Sequence, residues 1–326
     1  MTLNSIRLAF AALSLILVSC PSPSFAAGKG LDIPSWLKKH VGTGDGEIAP
    51  IVLKRARALY QRKRREGAVK NPCYLAMDAT RPSLKRSGKP GHRFYIICEK
   101  KKSFRAISSG HGNGRKLQTA NFSNGRQCAK NFSNAEGSKL TTGGSYVTAE
   151  TRTSFKGYYR KLGMKKPFKR TFLLFDGEGD TENARERAIG GHPAAFVWWQ
   201  CRFKKPKSPH ADKEGYVPYG RLVDYTGGRS NGCTTWSRSA AKTILKLVED
   251  KPTTLYIYPE SGDIDAVAKA MKKRKSLLRA GLYWNAACLK AIGSPKFWDK
   301  KILRPIIDKW RKSLPKLPPL QLPICK

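Results

Sequence analysis

The sequence predicts a mainly β protein, a β-sandwich or barrel with peripheral helices at its N- and C-terminal ends. Short runs rich in β-branched and aromatic residues recur from residue 73 onwards, separated by stretches of Gly, Asn, Ser and Lys. That spacing is typical of strands in sandwiches and barrels. The 7 Trp, 12 Tyr and 13 Phe supply large apolar groups for a core. The predicted strands cover residues 94–98, 104–108, 145–148, 171–175, 195–203 and 254–258.

Three helices are predicted around these strands. The first begins at Pro50 and ends at Gly67, with apolar side chains at positions 52, 56, 59 and 60. The second covers residues 239–249, just before the last strand. The third follows Pro259, with Asp263 as its N-cap and Gly281 as its end.

The chain is strongly basic, and its longest apolar run is short. The 326 residues include 63 Lys and Arg against 23 Asp and Glu, which gives a net charge of +40. The only long apolar run, residues 8–18, is shorter than the roughly 20 residues that a transmembrane helix needs. We therefore expect no transmembrane segment. The oligomeric state cannot be read from the sequence.

The N-terminal residues 1–26 have the three parts of a secretory signal: Arg7, the apolar run, and small residues before a cleavage site at Ala26. An alternative is lipidation at Cys20, which follows Leu-Val-Ser as in bacterial lipoproteins. Both predict export to the periplasm or cell envelope. Anionic envelope polymers are then the expected partners of the basic surface, and no specific nucleic acid is expected.

Domain boundaries follow from the same patterns. A basic helical segment is predicted for residues 27–72 and a catalytic domain for residues 73–260. A basic helical and Pro-rich extension is predicted for residues 261–326.

Eight cysteines are present, at positions 20, 73, 98, 128, 201, 233, 288 and 325. No Cys-x-x-Cys pair or His at ligand spacing accompanies them, so we predict no metal site. Signal cleavage would remove Cys20 and leave seven in an oxidising compartment. The prediction is one free thiol and three disulfides, in any of 15 connectivities, with Cys325 joining the Pro-rich tail to the body.

The stretch 228–236, Gly-Arg-Ser-Asn-Gly-Cys-Thr-Thr-Trp, is the most informative in the chain. A cysteine after glycine, followed by a helix, suits a nucleophile, because backbone N–H groups can approach a reacting carbonyl there. The alternative from the residues alone is that Cys233 is half of a disulfide.

Four ordered blocks resemble the YkuD-type L,D-transpeptidase catalytic-domain family, specifically its Ser-x-Gly-Cys branch. They are Tyr-Leu-Ala-Met-Asp at 74–78, the Phe-Ser-Asn, Gly-Ser and Gly-Ser-Tyr groups within 132–146, residues 183–194, and Gly-Arg-Ser-Asn-Gly-Cys at 228–233. The resemblance spans about residues 73–260 and implies the family's mostly β fold. It departs from the family at Pro193, Asn231 and Thr235. The gap before Cys233 is also long, and its Lys-rich part, 201–215, is expected to be loop-like, either a lid or a solvated insertion.

The resemblance implies that Cys233 is the nucleophile and His192 the general base. His111, in a Gly-rich loop, is the other candidate base, or it lines the substrate cleft. Ser230 either orients His192 or shapes the turn. The backbone N–H groups of Gly232 and Cys233 are the predicted oxyanion donors, and the predicted ligands for a substrate carboxylate are Arg229 and Arg221.

These expectations describe a cysteine acyltransferase or peptidase that acts on peptidoglycan tetrapeptide stems without a cofactor. Resolution of its thioester by an amine would make it a transpeptidase, and resolution by water a carboxypeptidase. Two alternatives remain open. One is a basic protein that binds envelope polyanions or nucleic acid without catalysis, and the other is a sortase-like cysteine transpeptidase with Arg238 as its arginine.

Overall fold

A computed structural model describes residues 33–226, 228–315, 318 and 321–326, with Arg229 described by its backbone alone. The predicted signal segment and the alternative lipidation site at Cys20 lie outside these residues. Within the described chain, no helix is both long and apolar enough to cross a membrane.

Strands make up most of the regular structure, which confirms the mainly β class. They are β1 (Tyr74–Asp78), β2 (His92–Cys98), β3 (Ser103–Ser108), β4 (His111–Gly112), β5 (Asn131–Ser133), β6 (Gly144–Lys161), β7 (Met164–Glu178), β8 (Gly190–Pro193), β9 (Ala195–Lys204), β10 (Tyr216–Asp224), β11 (Arg229–Ser230), β12 (Thr234–Trp236), β13 (Thr254–Tyr258) and β14 (Lys296–Trp298). The helices are α1 (Ser35–Lys38), α2 (Pro50–Arg65), α3 (Arg238–Val248), α4 (Ser261–Lys272), α5 (Ala286–Ile292) and α6 (Lys300–Ser313).

Ten strands form one mixed sheet. Its main path runs β12-β8-β7-β6-β13-β1-β2-β3, while β10 pairs with β6 and β9 pairs with β10. The sheet is open, with β12 at one end of the path and β3 at the other, so the predicted barrel is wrong. Two smaller sheets, β11-β4 and β14-β5, each have two strands, and a sandwich is not confirmed.

Alternation along the strands divides the core between the two faces of the sheet. In β1, Leu75 and Met77 belong to a buried cluster that includes apolar residues of α3 and α4. Tyr74 and Ala76 belong to a second cluster, which includes Val52, Leu53 and Ala56 of α2. Both faces of the central strands are therefore covered by helices.

The helix predictions are confirmed in position and corrected in detail. Pro50 is the first residue of α2, as predicted, and α3 lies one residue from its predicted bounds. Asp263 is the third residue of α4 rather than its N-cap, a position that Glu260 takes in a reciprocal capping box. The helix ends at Lys272, well before Gly281, because Arg274 has a positive φ of 51° that a helix cannot contain.

The hairpin of β6 and β7 is much longer than the short strands predicted there. The outer half of this hairpin lies off the main path of the sheet. There β6 pairs with β10, with Tyr219 opposite Tyr158 and Gly220 opposite Tyr159. We call residues 152–170 and 195–224 the basic arm. Acidic residues occupy only 212, 214 and 224 of it, whereas Lys or Arg occupies 152, 156, 160, 161, 165, 166, 169, 170, 202, 204, 205, 207, 213 and 221.

The stretch 201–215, predicted to be loop-like, is partly a strand. Residues 201–204 complete β9, and residues 205–215 form the turn into β10. Cross-strand pairing with β10 explains the difference, because nine consecutive residues of β10 find partners on β9.

The C-terminal residues pack against the body. β14 pairs in parallel with β5, and Leu303 and Ile307 of α6 share a buried cluster with Leu140 and Phe122. Cys325 is bonded to Cys201 of β9, as the predicted tethering of the tail requires. Residues 33–326 together form one compact unit.

Candidate active site

Cys233 is the one free thiol among the described cysteines. The other six form the pairs Cys73–Cys98, Cys128–Cys288 and Cys201–Cys325. The prediction of three disulfides and one unpaired cysteine is thereby confirmed for the described chain. Cys233 is not half of a cystine, so its sulfur is available for chemistry.

The pairing of β8 with β12 brings Cys233 and His192 to the same end of the sheet. The two strands are parallel, with Thr235 opposite His192 and Thr234 opposite Gly191. Glycine at 191 permits this close pairing, because a Cβ there would overlap the ring of Trp236. Cys233 therefore lies one residue before the ladder, next to the strand that carries the histidine.

Both side chains line one cleft of about 470 Å³. Each is mostly buried, with 8% of Cys233 and 7% of His192 exposed. Because Cys233 lines the cleft, its thiol can be reached from a groove, as a nucleophile must be. The cleft is lined by Asn113, Arg170, Phe172, His192, Phe196, Tyr225, Ser230, Asn231 and Cys233.

The imidazole of His192 is held in the tautomer that a general base needs. Its Nδ1 lies 2.9 Å from the carbonyl oxygen of Pro193, and its ring stacks on Phe172 with centroids 5.5 Å apart. A carbonyl only accepts, so Nδ1 carries the hydrogen and Nε2 keeps its lone pair. Pro193, a departure from the family pattern, contributes only a carbonyl, which any residue supplies.

The pKa of His192 is lowered to about 4, chiefly by burial and to a smaller extent by the charges of Arg170 and Lys156, while the hydrogen bond to Pro193 opposes the shift. Desolvation disfavours the charged imidazolium. The ring is therefore neutral at physiological pH and able to accept a proton.

The thiol of Cys233 is in its protonated form at rest. Burial raises its pKa, and this effect is opposed by the backbone N–H of Gly190 and by the charges of Arg187 and Arg170. The Sγ atom lies 3.7 Å from the carbonyl oxygen of Ala188, to which the thiol donates. A thiol in this state needs a base to become a thiolate.

Arg187 is a functional candidate that sequence reasoning missed. Its buried guanidinium donates to the carbonyl oxygen of Leu140 at 2.8 Å and to the hydroxyl of Thr142. Its charge favours the thiolate of Cys233. The sequence signal that could have identified Arg187 was its position inside the block at 183–194.

Arg170 and Phe172 of β7 were also missed. They are two residues apart in a strand and so share a face. Only the pairing of β7 with β8, Leu173 opposite Gly191, brings that face to His192. The alternation was visible in the sequence, but the strand pairing was not.

Ser230 holds the turn before Cys233. Its hydroxyl donates to the carbonyl oxygen of Cys233 at 2.6 Å and accepts the N–H of Gly232 at 3.1 Å. Gly232 has a φ of 109°, which requires glycine. Of the two roles considered for Ser230, the geometry favours shaping the turn, since the carbonyl of Pro193 orients His192. The N–H of Gly232 is engaged in this turn, which leaves the N–H of Cys233 as the predicted oxyanion donor.

His111 does not line the cleft, contrary to the role considered for it. It is completely buried, and Arg93 donates to its Nδ1 at 2.9 Å. Its Nε2 donates to the carbonyl oxygen of Gly125 at 3.0 Å. Pairing of β4 with β11 fixes it inside the protein next to the loop of Cys233, and Asn113, two residues later, reaches the cleft instead.

The two predicted carboxylate ligands are placed differently. Arg221 is exposed on β10 and lines a second cavity rather than the cleft of Cys233. The backbone of Arg229 pairs with His111 in the β11-β4 ladder, and its side chain lies outside the described atoms. Among the described side chains that line the cleft, the cation is Arg170.

Comparison with known proteins gives one result. The L,D-transpeptidase catalytic domain family matches residues 45–258, which is more than half of the chain and includes Cys233 and His192. No match was found among curated proteins or solved structures. The matched region contains the whole ten-stranded sheet, together with α2 and α3. The chain therefore belongs to the L,D-transpeptidase catalytic domain family.

Proposed function

We propose that this protein is a peptidoglycan L,D-transpeptidase or L,D-carboxypeptidase in which Cys233 is the nucleophile and His192 the general base. One observation carries the proposal: an unpaired thiol and a neutral imidazole, with Nε2 unprotonated, line the same cleft. Family membership supports an enzyme that acts on peptidoglycan.

The first half-reaction forms a thioester. Nε2 of His192 accepts the thiol proton as Sγ of Cys233 attacks the carbonyl carbon of the third, L-centred stem residue. The tetrahedral oxyanion is stabilised by the N–H of Cys233. The bond to the terminal D-amino acid then breaks, and its amine leaves with the proton held by His192.

The second half-reaction releases the acyl group. An amine from another stem, or water, attacks the thioester carbon and gives its proton to His192. The carbon–sulfur bond breaks, and the thiolate of Cys233 takes that proton back. An amine produces a cross-link, whereas water produces a shortened stem.

The charges around the cleft suit this cycle. Arg187 and Arg170 favour the thiolate, so they offset part of the cost of ionising a buried sulfur. Arg170 is also placed to bind a stem carboxylate in the cleft, alongside the role predicted for Arg229. Phe172, Phe196 and Tyr225 supply apolar walls.

The sortase-like alternative gains no support from the position of Arg238. That residue lines the second cavity rather than the cleft of Cys233. Export by the predicted signal at 1–26, or anchoring through Cys20, remains a proposal that agrees with a substrate in the cell wall.

The test is digestion of purified tetrapeptide muropeptides, read by mass spectrometry. The wild type should release one D-Ala, with or without a new dimer, and an acyl adduct should form on the protein. Cys233→Ala and His192→Ala should lose this activity, whereas His92→Ala, an exposed histidine outside the cleft, should retain it. Unchanged substrate with the wild type, or turnover by Cys233→Ala, would overturn the proposal.

A further inference from the structure

A second cavity, of about 490 Å³, lies on the basic arm. Among the residues that the structure describes, four that line it are cations, namely Arg160, Lys161, Arg221 and Arg238, and none is acidic. The walls also include the aromatic side chains of Tyr159 and Tyr219. The catalytic mechanism uses none of these residues.

These cations are not neutralised by the protein. In the described part of the chain, none of the four forms an ion pair with an acidic side chain. Arg202, also on the arm, shows the contrast, because it pairs with Glu214 at 2.7 Å and with Asp212 at 3.5 Å. A concave site with several unpaired cations and no carboxylate attracts an anionic ligand.

Two segments connect this cavity to the catalytic cleft. Along β9, Phe196 lines the cleft and Gln200 lines the second cavity, so their Cα atoms are at most about 14 Å apart. On the other segment, Cys233 lines the cleft and Arg238 the second cavity, five residues later. Both cavities are therefore within reach of one extended peptide of about four residues.

The surface between the two cavities also carries groups that can contact a peptide. Trp198 lies midway between Phe196 and Gln200 and is 60% exposed. Its partner across the ladder is Arg221, so the indole and the guanidinium lie on the same face of the arm. Such a pair offers an apolar surface next to a positive charge.

We propose that the second cavity binds a carboxylate of the acceptor stem while the amine of that stem attacks the thioester on Cys233. The inference rests on the proposed function. Stem peptides that contain a diamino acid carry free carboxylates and an amine on one short chain, and an extended stem matches the separation of the cavities. Arg160 and Arg221 hold the carboxylate through charge-assisted hydrogen bonds.

The experiment compares Arg160→Gln/Arg221→Gln with a control of equal charge loss, Lys272→Gln/Lys273→Gln, at the exposed end of α4. With tetrapeptide donor and tripeptide-disaccharide acceptor, the ratio of dimer to hydrolysed donor reports how each thioester is resolved. This ratio should fall about tenfold in the arm variant, in line with the loss of a charged hydrogen bond, and should stay at the wild-type value in the control.

A binding measurement separates this inference from the proposed function. Titration of the tripeptide-disaccharide into Cys233→Ala needs no catalysis. Binding should weaken about tenfold with Arg160→Gln/Arg221→Gln, and equally when the fragment's carboxylates are amidated. If binding behaves so but the wild type releases no D-Ala, the proposed function fails and the anion site stands.

Three results would overturn the inference. One is an unchanged dimer ratio in the arm variant, and another is a wild type that releases D-Ala but forms no dimer at saturating acceptor. The third is tighter binding of a short DNA duplex than of the stem fragment, lost in the same variant, which would assign the cavity to nucleic acid.

Discussion

The cleft of Cys233 and the basic arm share strands but differ in how far their ionisable groups are exposed to solvent. In the cleft, His192 is 7% exposed and neutral, whereas on the arm Trp198 is 60% exposed among solvated Lys and Arg residues. β7 belongs to both regions, with Met164 at the exposed tip of its hairpin and Phe172 in the cleft.

One sheet therefore meets two different requirements along its length. A proton-transfer pair benefits from exclusion of water, which keeps the base uncharged. Attraction of a charged polymer needs cations that remain solvated and unpaired.

The largest effect is expected from loss of the neutral base. His192→Gln should lower kcat for D-Ala release roughly 10² to 10⁴-fold, because the thiol of Cys233 would have to ionise unaided. Steady-state kinetics measure it, with His210→Gln on the arm as the matched control. Wild-type kcat in His192→Gln would mean that the cleft does not depend on its buried imidazole.

A stability effect of about 3 kcal/mol is expected from the same burial. The folded pKa of His192 is about 4, against about 6.5 when unfolded, so the unfolded chain binds the proton first. The contribution is complete above pH 6.5 and is lost progressively as the pH falls towards 4. The free energy of unfolding, measured with urea at several pH values, should fall between pH 6.5 and pH 4 in the wild type. The slope of this fall should be smaller in His192→Gln. Equal slopes would show that the imidazole is solvated.

Gly232→Ala should cost about 2 kcal/mol of stability, because φ at this position is 109°. A Cβ there would also lie 2.9 Å from the carbonyl oxygen of Leu140. Thermal unfolding measures the loss, and Gly262→Ala in α4, where a Cβ meets nothing within 4 Å, is the control. An unchanged melting temperature would contradict the rigidity assigned to the turn before Cys233.

The smallest effect is expected on the arm itself. Lys166→Gln/Lys169→Gln should weaken cosedimentation with peptidoglycan only a few-fold at low salt, with stability changed by less than about 0.5 kcal/mol. The difference from the wild type should vanish at high salt. A salt-independent loss would mean that these lysines make specific contacts rather than add to a solvated field.

Sequence reasoning succeeded where a local residue pattern or a count of residues was enough. Pro50 and its apolar stripe defined α2, and the odd number of cysteines predicted one free thiol. The resemblance directed attention to His192, which the structure places in the cleft with Cys233.

It failed where pairing and burial decide the outcome. His111 looked accessible in its Gly-rich loop, yet β4 and β11 enclose it. Arg221 was expected to reach the same carboxylate as Arg229, but its strand carries it to another cavity. Arg170 went unnoticed because its importance depends on the alignment of β7 with β8, a long-range pairing that no local pattern specifies.

The single unpaired sulfur has a consequence for how the protein matures. Seven described cysteines must become three bridges and one thiol, and random oxidation would consume Cys233 in about six of seven outcomes. Closure of the loop around Cys233 before bridging would shield it from this fate. Oxidative refolding from the reduced, denatured chain is therefore expected to yield mostly scrambled, inactive material unless a disulfide isomerase is present.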